Sequence, residues 1–130
     1  MIHNIIIVFL FLKIRQMSLK IYHNPRCRKS REGLNFLKER SVDFEVIEYL
    51  KDGISSKEIK EILLKLHICP IDLVRKNEPL FKKELRHLSL TDVEWIKVIS
   101  ENPELMKRPV ILSQYSGVIG DPSENIEKVL

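Results

Sequence analysis

The 130-residue chain predicts an α/β fold, a mixed sheet built in the order βαβ, helical insert, ββα. Three observations carry this reading. A short apolar segment, Ser18 to Tyr22, is joined through a Pro-broken loop and a helical stretch to an alternating segment, Asp43 to Tyr49, the pattern of two strands linked by a helix. Residues from about 55 to 103 are dominated by helix caps and helical spacing. Strand character then returns at Val110-Ile111-Leu112 and Val118-Ile119, with a turn at Ser116-Gly117 that suits a terminal hairpin.

The elements follow in order. Ile5 to Leu12 is an unbroken apolar run followed by Lys13 and Arg15, too short for a bilayer span of about 20 residues. Its basic residues come after the apolar run and no small-residue cleavage site follows, which excludes a secretory signal. We read residues 1–16 as an upstream or non-native extension, against an extra strand or a membrane-surface anchor, and residues 17–130 as one domain beginning at Met17. After the strand at 18–22, Asn24-Pro25 ends the extended run before a helix from Cys27 to Arg40, with Leu34 and Leu37 on one face. The strand at 43–49 then pairs parallel to the first in a right-handed βαβ unit. Beyond the Lys51-Asp52-Gly53 turn, Ser55 with Glu58 three residues on opens a helix carrying Ile59, Ile62, Leu63 and Leu66. Pro70 interrupts it. Short helical segments cover 71–74 and 78–85, and Thr91 with Glu94 caps a helix ending near Asn102-Pro103. Pro122 starts a last helix, for which Asp121 serves as N-cap.

Composition narrows the function classes. A 44% hydrophobic and 31% charged chain builds one globular core. Two cysteines, Cys27 and Cys69, argue against a disulfide scaffold and for a reducing, cytoplasmic setting. His3, His23, His67 and His87 show no paired ligand spacing, so no metal site is expected. The net charge of +4 falls to +2 without Lys13 and Arg15, and both signs are interspersed, as in Lys57-Glu58-Ile59-Lys60-Glu61. That is a solvated surface and not a nucleic-acid or membrane footprint. Trp95, beside Ile96 and Ile99, reads as core.

Only the surroundings of Cys27 are locally basic. This thiol falls between a strand and a helix start, where unpaired backbone N–H groups favour a thiolate, and Arg26, Arg28, Lys29 and Arg31 add formal positive charge. Structural cysteines sit in apolar surroundings, so Cys27 is read as a nucleophile. His23, if protonated near the sulfur, would lower its pKa further. Ser30, three residues on, precludes a local disulfide; its hydroxyl can serve the thiolate or a helix carbonyl. Cys69, in an apolar context before Pro70, is read as a packed core thiol.

Three segments carry a family resemblance: His23-Asn24-Pro25-x-Cys27-x-x-Ser30-Arg31, Leu73-Val74-Arg75-Lys76-Asn77-Glu78-Pro79 and Asn102-Pro103-Glu104-Leu105-Met106-Lys107-Arg108-Pro109. Together they resemble the glutaredoxin-coupled arsenate reductase family, from about Met17 to Leu130. The resemblance implies a thioredoxin/glutaredoxin-like fold, Cys27 as nucleophile assisted by His23, and Arg75 and Arg108 as oxyanion holders, with Asn24 and Ser30 also at the substrate. It further implies a cis Arg108-Pro109 bond facing the cysteine, no tightly bound cofactor, glutathione as co-substrate, glutaredoxin as protein partner and a monomeric enzyme. The chemistry fits these residue types. Two guanidinium groups can hold a tetrahedral anion by charge-assisted hydrogen bonds while a thiolate attacks its centre. One departure weighs against arsenate: where the family carries a third arginine, this chain has Asp121. Two rival functions therefore stand beside the first. One is a glutathione-dependent thiol reductase that does not act on arsenate. The other is an RNA polymerase-binding regulator of the Spx type, against which Ser30 argues, because those carry a C-x-x-C switch.

Overall fold

The structure, a computed structural model, describes residues 2–17 and 19–130; Met1 and the expected strand start at Ser18 lie outside the described residues. The chain opens with helix α1, Ile2–Met17, whose side chains from Ile5 to Leu10 are exposed. Among the described residues no helix is long and apolar enough to cross a membrane.

The sheet has four strands, β1 (Lys20–Tyr22), β2 (Glu45–Ile47), β3 (Val110–Leu112) and β4 (Gly117–Ile119), in the spatial order β2-β1-β3-β4. β2 lies parallel to β1, with Ile21 opposite Val46. β3 runs antiparallel to β1, with Ile21 opposite Ile111, and the β3–β4 hairpin aligns Ile111 with Val118. This is the thioredoxin-like arrangement. Helix α2 (Arg28–Glu39) links β1 to β2, the turn α3 (Tyr49–Asp52) follows β2, and the insert contains α4 (Ser56–Leu66) and α5 (Asp92–Glu101).

Strand alternation sorts the core into two layers. Ile21 and Ile111 face one side, where Leu37 of α2 and Ile126 near the C-terminus cover them. Tyr22, Val110 and Leu112 face the other, beneath Tyr49, Ile59, Ile62, Trp95 and Ile99. Trp95 is a core residue, stacked on Phe81 with ring centroids 6.4 Å apart. The two caps form as spelled: Glu58 N–H donates to Ser55 Oγ at 3.1 Å, and Glu94 N–H to Thr91 Oγ1 at 3.2 Å. A cap of this kind contributes about 1 kcal/mol.

Four local features differ from expectation. The second strand stops at Ile47, because Tyr49 turns inward, fully buried, and opens α3. The segment after Pro70 is a 3-10 turn, Pro70–Leu73, and Phe81–Leu85 is π-helical. Cys69 is exposed, not packed in the core. Pro70 takes the buried position and leaves Cys69 outside as the residue before the turn, its N–H donating to Asp72 Oδ2 at 3.2 Å. Asp121 caps nothing, since Pro122 occupies the cap position of the C-terminal 3-10 helix, Ser123–Val129.

Candidate active site

The loop after β1 presents Cys27 at the N-cap of α2, in extended conformation and without a capping side chain. The tight turn ahead of it comes from local hydrogen bonds. Cys27 N–H donates to Asn24 O at 3.0 Å and Arg26 N–H to Asn24 Oδ1 at 3.0 Å. Ser30 Oγ, fully buried, accepts from Asn24 N–H at 2.9 Å and lies 2.6 Å from His23 Nδ1. With the backbone donor on one lone pair, the hydroxyl hydrogen is free to donate to Nδ1 of a neutral ring.

These contacts bear on three expectations. Ser30 Oγ serves neither the thiolate nor a helix carbonyl, because it ties His23 to the loop backbone. Asn24 and Ser30, expected at the substrate, are buried, and their side-chain oxygens shape the loop. His23 is not poised as a cation beside the sulfur: burial holds its pKa below the ordinary histidine range, against the opposing pull of Glu48, so it is neutral near pH 7.

The two arginines arrive by matching routes. Each follows a proline by five residues, and each proline opens a 3-10 turn, Pro70–Leu73 and Pro103–Leu105. The two exits then pair antiparallel at Val74 and Met106, with Arg75 N–H donating to Leu105 O at 2.7 Å and Lys107 N–H to Leu73 O at 2.8 Å. This zips residues 33 positions apart in sequence into neighbours, and the Nη1 atoms of Arg75 and Arg108 converge on the carbonyl of Glu104, at 3.4 and 3.5 Å. Arg75 is also paired with Glu78, Nη1 to Oε2 at 2.6 Å. Arg108 has no carboxylate partner among the described residues, and its peptide bond to Pro109 is cis.

A cleft of about 460 Å³ brings Cys27, Arg75 and Arg108 together, with Arg28, Lys29, Lys76, Lys107 and Asp121 at its walls. Burial alone would push the Cys27 thiol up; the Arg108 guanidinium and the backbone N–H groups of Ser30 and Lys29 outweigh it and hold the thiol below its ordinary range. A thiolate facing a ring of cations is equipped to attack the electrophilic centre of an anion. Asp121 is the exception in that ring, and Lys29 Nζ engages it at 2.8 Å. The pair is largely solvated and contributes at most about 1 kcal/mol. Gly33 of α2 lets that helix approach the proline after Arg108 closely, since a Cβ there would lie 2.7 Å from Pro109 Cγ.

Two further contributors escaped the sequence. Lys107 joins the cleft because the pairing at Met106 turns it there, and Tyr49, outside the cleft lining, has an ionisation that feels Arg108, Arg75 and Cys27. No local pattern flags Tyr49, which reads as the last residue of an alternating strand.

Comparison with known proteins places this geometry in context. The model of the ArsC family matches residues 22–129. An arsenate reductase of Neisseria meningitidis is 37% identical over 115 residues, spanning 87% of this chain and 98% of the relative. The uncharacterised Escherichia coli protein YfgD is 38% identical over 115 residues, again 87% of this chain and 97% of the relative. Among solved structures, an arsenate reductase from Vibrio cholerae superposes with a TM-score of 0.82 at 33% identity, covering 88% of this chain and 98% of its own.

Proposed function

Because the chain belongs to the ArsC family, we propose that it reduces arsenate to arsenite through the Cys27 thiolate, with glutathione and glutaredoxin supplying the two electrons. The observation that carries this reading is the cleft itself, in which a lowered-pKa thiol faces two guanidinium groups held side by side by the Val74–Met106 pairing.

The steps follow from that arrangement. Arg75 and Arg108 hold the oxyanion while Cys27 Sγ bonds to arsenic, and one arsenate oxygen, twice protonated, leaves as water. A glutathione thiolate displaces a second oxygen, again as water, and gives an arsenic bridged between two sulfurs. Glutaredoxin then attacks the glutathione sulfur. A disulfide forms between the two, and the S–As bonding pair stays on arsenic, which is thereby reduced from As(V) to As(III). Water releases arsenite and returns the Cys27 thiol. His23 serves as a neutral positioning residue in this scheme, and Ser30 supports it through the shared hydrogen bonds.

A second reading rests on one observation, the carboxylate of Asp121 within the cleft. Repulsion of a doubly charged anion there favours a glutathione-dependent thiol reductase that leaves arsenate untouched. The test is NADPH consumption coupled through glutathione reductase, glutathione and glutaredoxin, with arsenate as the oxidant. Arsenate-dependent turnover that vanishes in Cys27→Ser supports the first reading. A folded wild type that ignores arsenate yet reduces a glutathione mixed disulfide supports the second. An arm with thioredoxin and thioredoxin reductase in place of glutathione and glutaredoxin tests the donor.

A further inference from the structure

A second cavity, of about 420 Å³, adjoins the Cys27 cleft, and the two share three lining residues, Lys107, Ile119 and Asp121. From that shared wall the second cavity continues past Val118 of β4, the edge strand of the sheet, to Leu66 and Ile68 at the end of α4. A ligand larger than a tetrahedral anion can therefore lie in both at once.

The charges on the shared wall narrow what that ligand is. An oxyanion is served by cations alone, yet this wall sets an acid beside a base. Lys107 has no carboxylate partner among the described residues. Asp121 gives its Oδ2 to Lys29, and a carboxylate with two acceptor oxygens has room for a second cationic donor on the other. One acid and one ammonium on the same wall are complementary to a zwitterion, which presents its own ammonium to the first and its carboxylate to the second. Glutathione carries such a group at its γ-glutamyl end, with the thiol in the middle of the molecule and the glycine carboxylate beyond it. Leu66, Ile68 and Ile119 offer apolar surface for the glutamyl methylenes.

On the proposed reading, in which glutathione brings its thiol to Cys27, we infer that the second cavity is the subsite for the γ-glutamyl end of glutathione. The ligand's ammonium donates to Asp121 Oδ1, and Lys107 Nζ donates to its α-carboxylate, while the thiol reaches over the shared wall into the cleft. This gives the acid at 121 a use. Arsenate and glutathione then make opposite demands on that residue, the first repelled by its charge and the second held by it.

The experiment is calorimetric titration of wild type, Asp121→Asn and Lys107→Gln with two unreactive thioethers. One is S-methylglutathione; the other is N-acetyl-S-methylcysteinylglycine, in which an acetyl group replaces the γ-glutamyl residue and the net charge is the same. Wild type is expected to bind the first about tenfold or more tightly than the second, and each variant to lose about tenfold on the first, the scale of one charge-assisted hydrogen bond. Affinity for the acetyl compound stays near that of wild type, which also shows that the variants are folded. The sign of the Asp121→Asn effect is decisive. Glutathione is a net anion, so removing a carboxylate that acts only through its field would tighten binding, whereas losing a direct contact with the ammonium loosens it. Protection of Cys27 from iodoacetamide by inorganic phosphate should meanwhile hold or improve in Asp121→Asn. Equal binding of the two thioethers by wild type, or either variant holding S-methylglutathione as tightly as wild type, overturns this inference and leaves the proposed function standing if arsenate turnover still requires glutathione. A wild type that turns over arsenate with thioredoxin and not with glutathione and glutaredoxin overturns both.

Discussion

Arg108 is the residue on which the cleft turns. Its guanidinium offsets the burial that would otherwise raise the Cys27 thiol, so Arg108→Ala should lose thiolate at neutral pH. The expected outcome is several-fold slower alkylation of Cys27 at pH 7, with the pH dependence of alkylation shifted upward. Asp121→Arg works in the opposite direction. Replacing this acid of the cleft by a cation should raise kcat/KM for arsenate about threefold to tenfold, the scale of a charge change at a partly screened site; an unchanged value would show that Asp121 lies outside the reach of the anion. The convergence of Cys27, Arg75 and Arg108 on one cleft was legible because each sits in a compact motif whose residue types announce it. Tyr49 was not. Its hydroxyl meets Cys27 and Arg108, 22 and 59 residues away in sequence, only through the fold, and no spacing rule reports that. The same holds for Ser30, whose two hydrogen-bond partners, His23 and Asn24, precede it and come within reach only once the loop closes.

At the scale of elements, capping and alternation were read correctly because both are decided within a few residues. Ser55 with Glu58 and Thr91 with Glu94 form the caps their spelling predicts, and the hairpin forms where strand character returns. What went unread was decided by tertiary burial: the early end of β2, the exposure of Cys69 and the 3-10 geometry of the two proline turns. The Gly33 position belongs with these. A glycine inside α2 costs up to about 1 kcal/mol against alanine on propensity alone, yet a methyl group there would strike the Pro109 ring at 2.7 Å. Gly33→Ala should therefore destabilise the protein, by about 1–3 kcal/mol of overpacking. Urea denaturation would register it as a lower midpoint, and a gain in stability would refute the contact.

For the whole molecule, the fold class was readable from end to end, while the placement of charge was not. Two consequences belong to this scale. The described side chains of α1 from Ile5 to Leu10 pack against nothing that buries them, so deletion of residues 1–16 should leave the melting temperature of the remainder within a degree or two and its turnover unchanged; a large drop in either would show that the segment is part of the domain. The second is the pH dependence of folding. His23 and Cys27 both have native pKa values below their ordinary ones. Each then contributes stability that is present above its unfolded pKa and is lost as pH falls through the folded one. Tyr49, raised from 10.0 to about 12, has the opposite sign, its contribution complete below pH 10 and lost as pH climbs towards 12. Chemical denaturation across pH should accordingly show stability falling as pH drops below 9.0, the ordinary value for Cys27, falling further below 6.5, the ordinary value for His23, and falling again above 10. His23→Gln should flatten the acid limb.

The contact between Gly33 and Pro109 reaches beyond stability. It sets the helix that begins at the thiol close against the segment that carries Arg108, so a shift of either is resisted by the other. An oxyanion entering such a site finds the chain already ordered and forfeits little conformational entropy on capture. Amide hydrogen exchange in the first turns of α2 should be slow before any anion arrives and scarcely slower after, and calorimetric titration should show binding governed by charge and desolvation, with no signature of coupled folding.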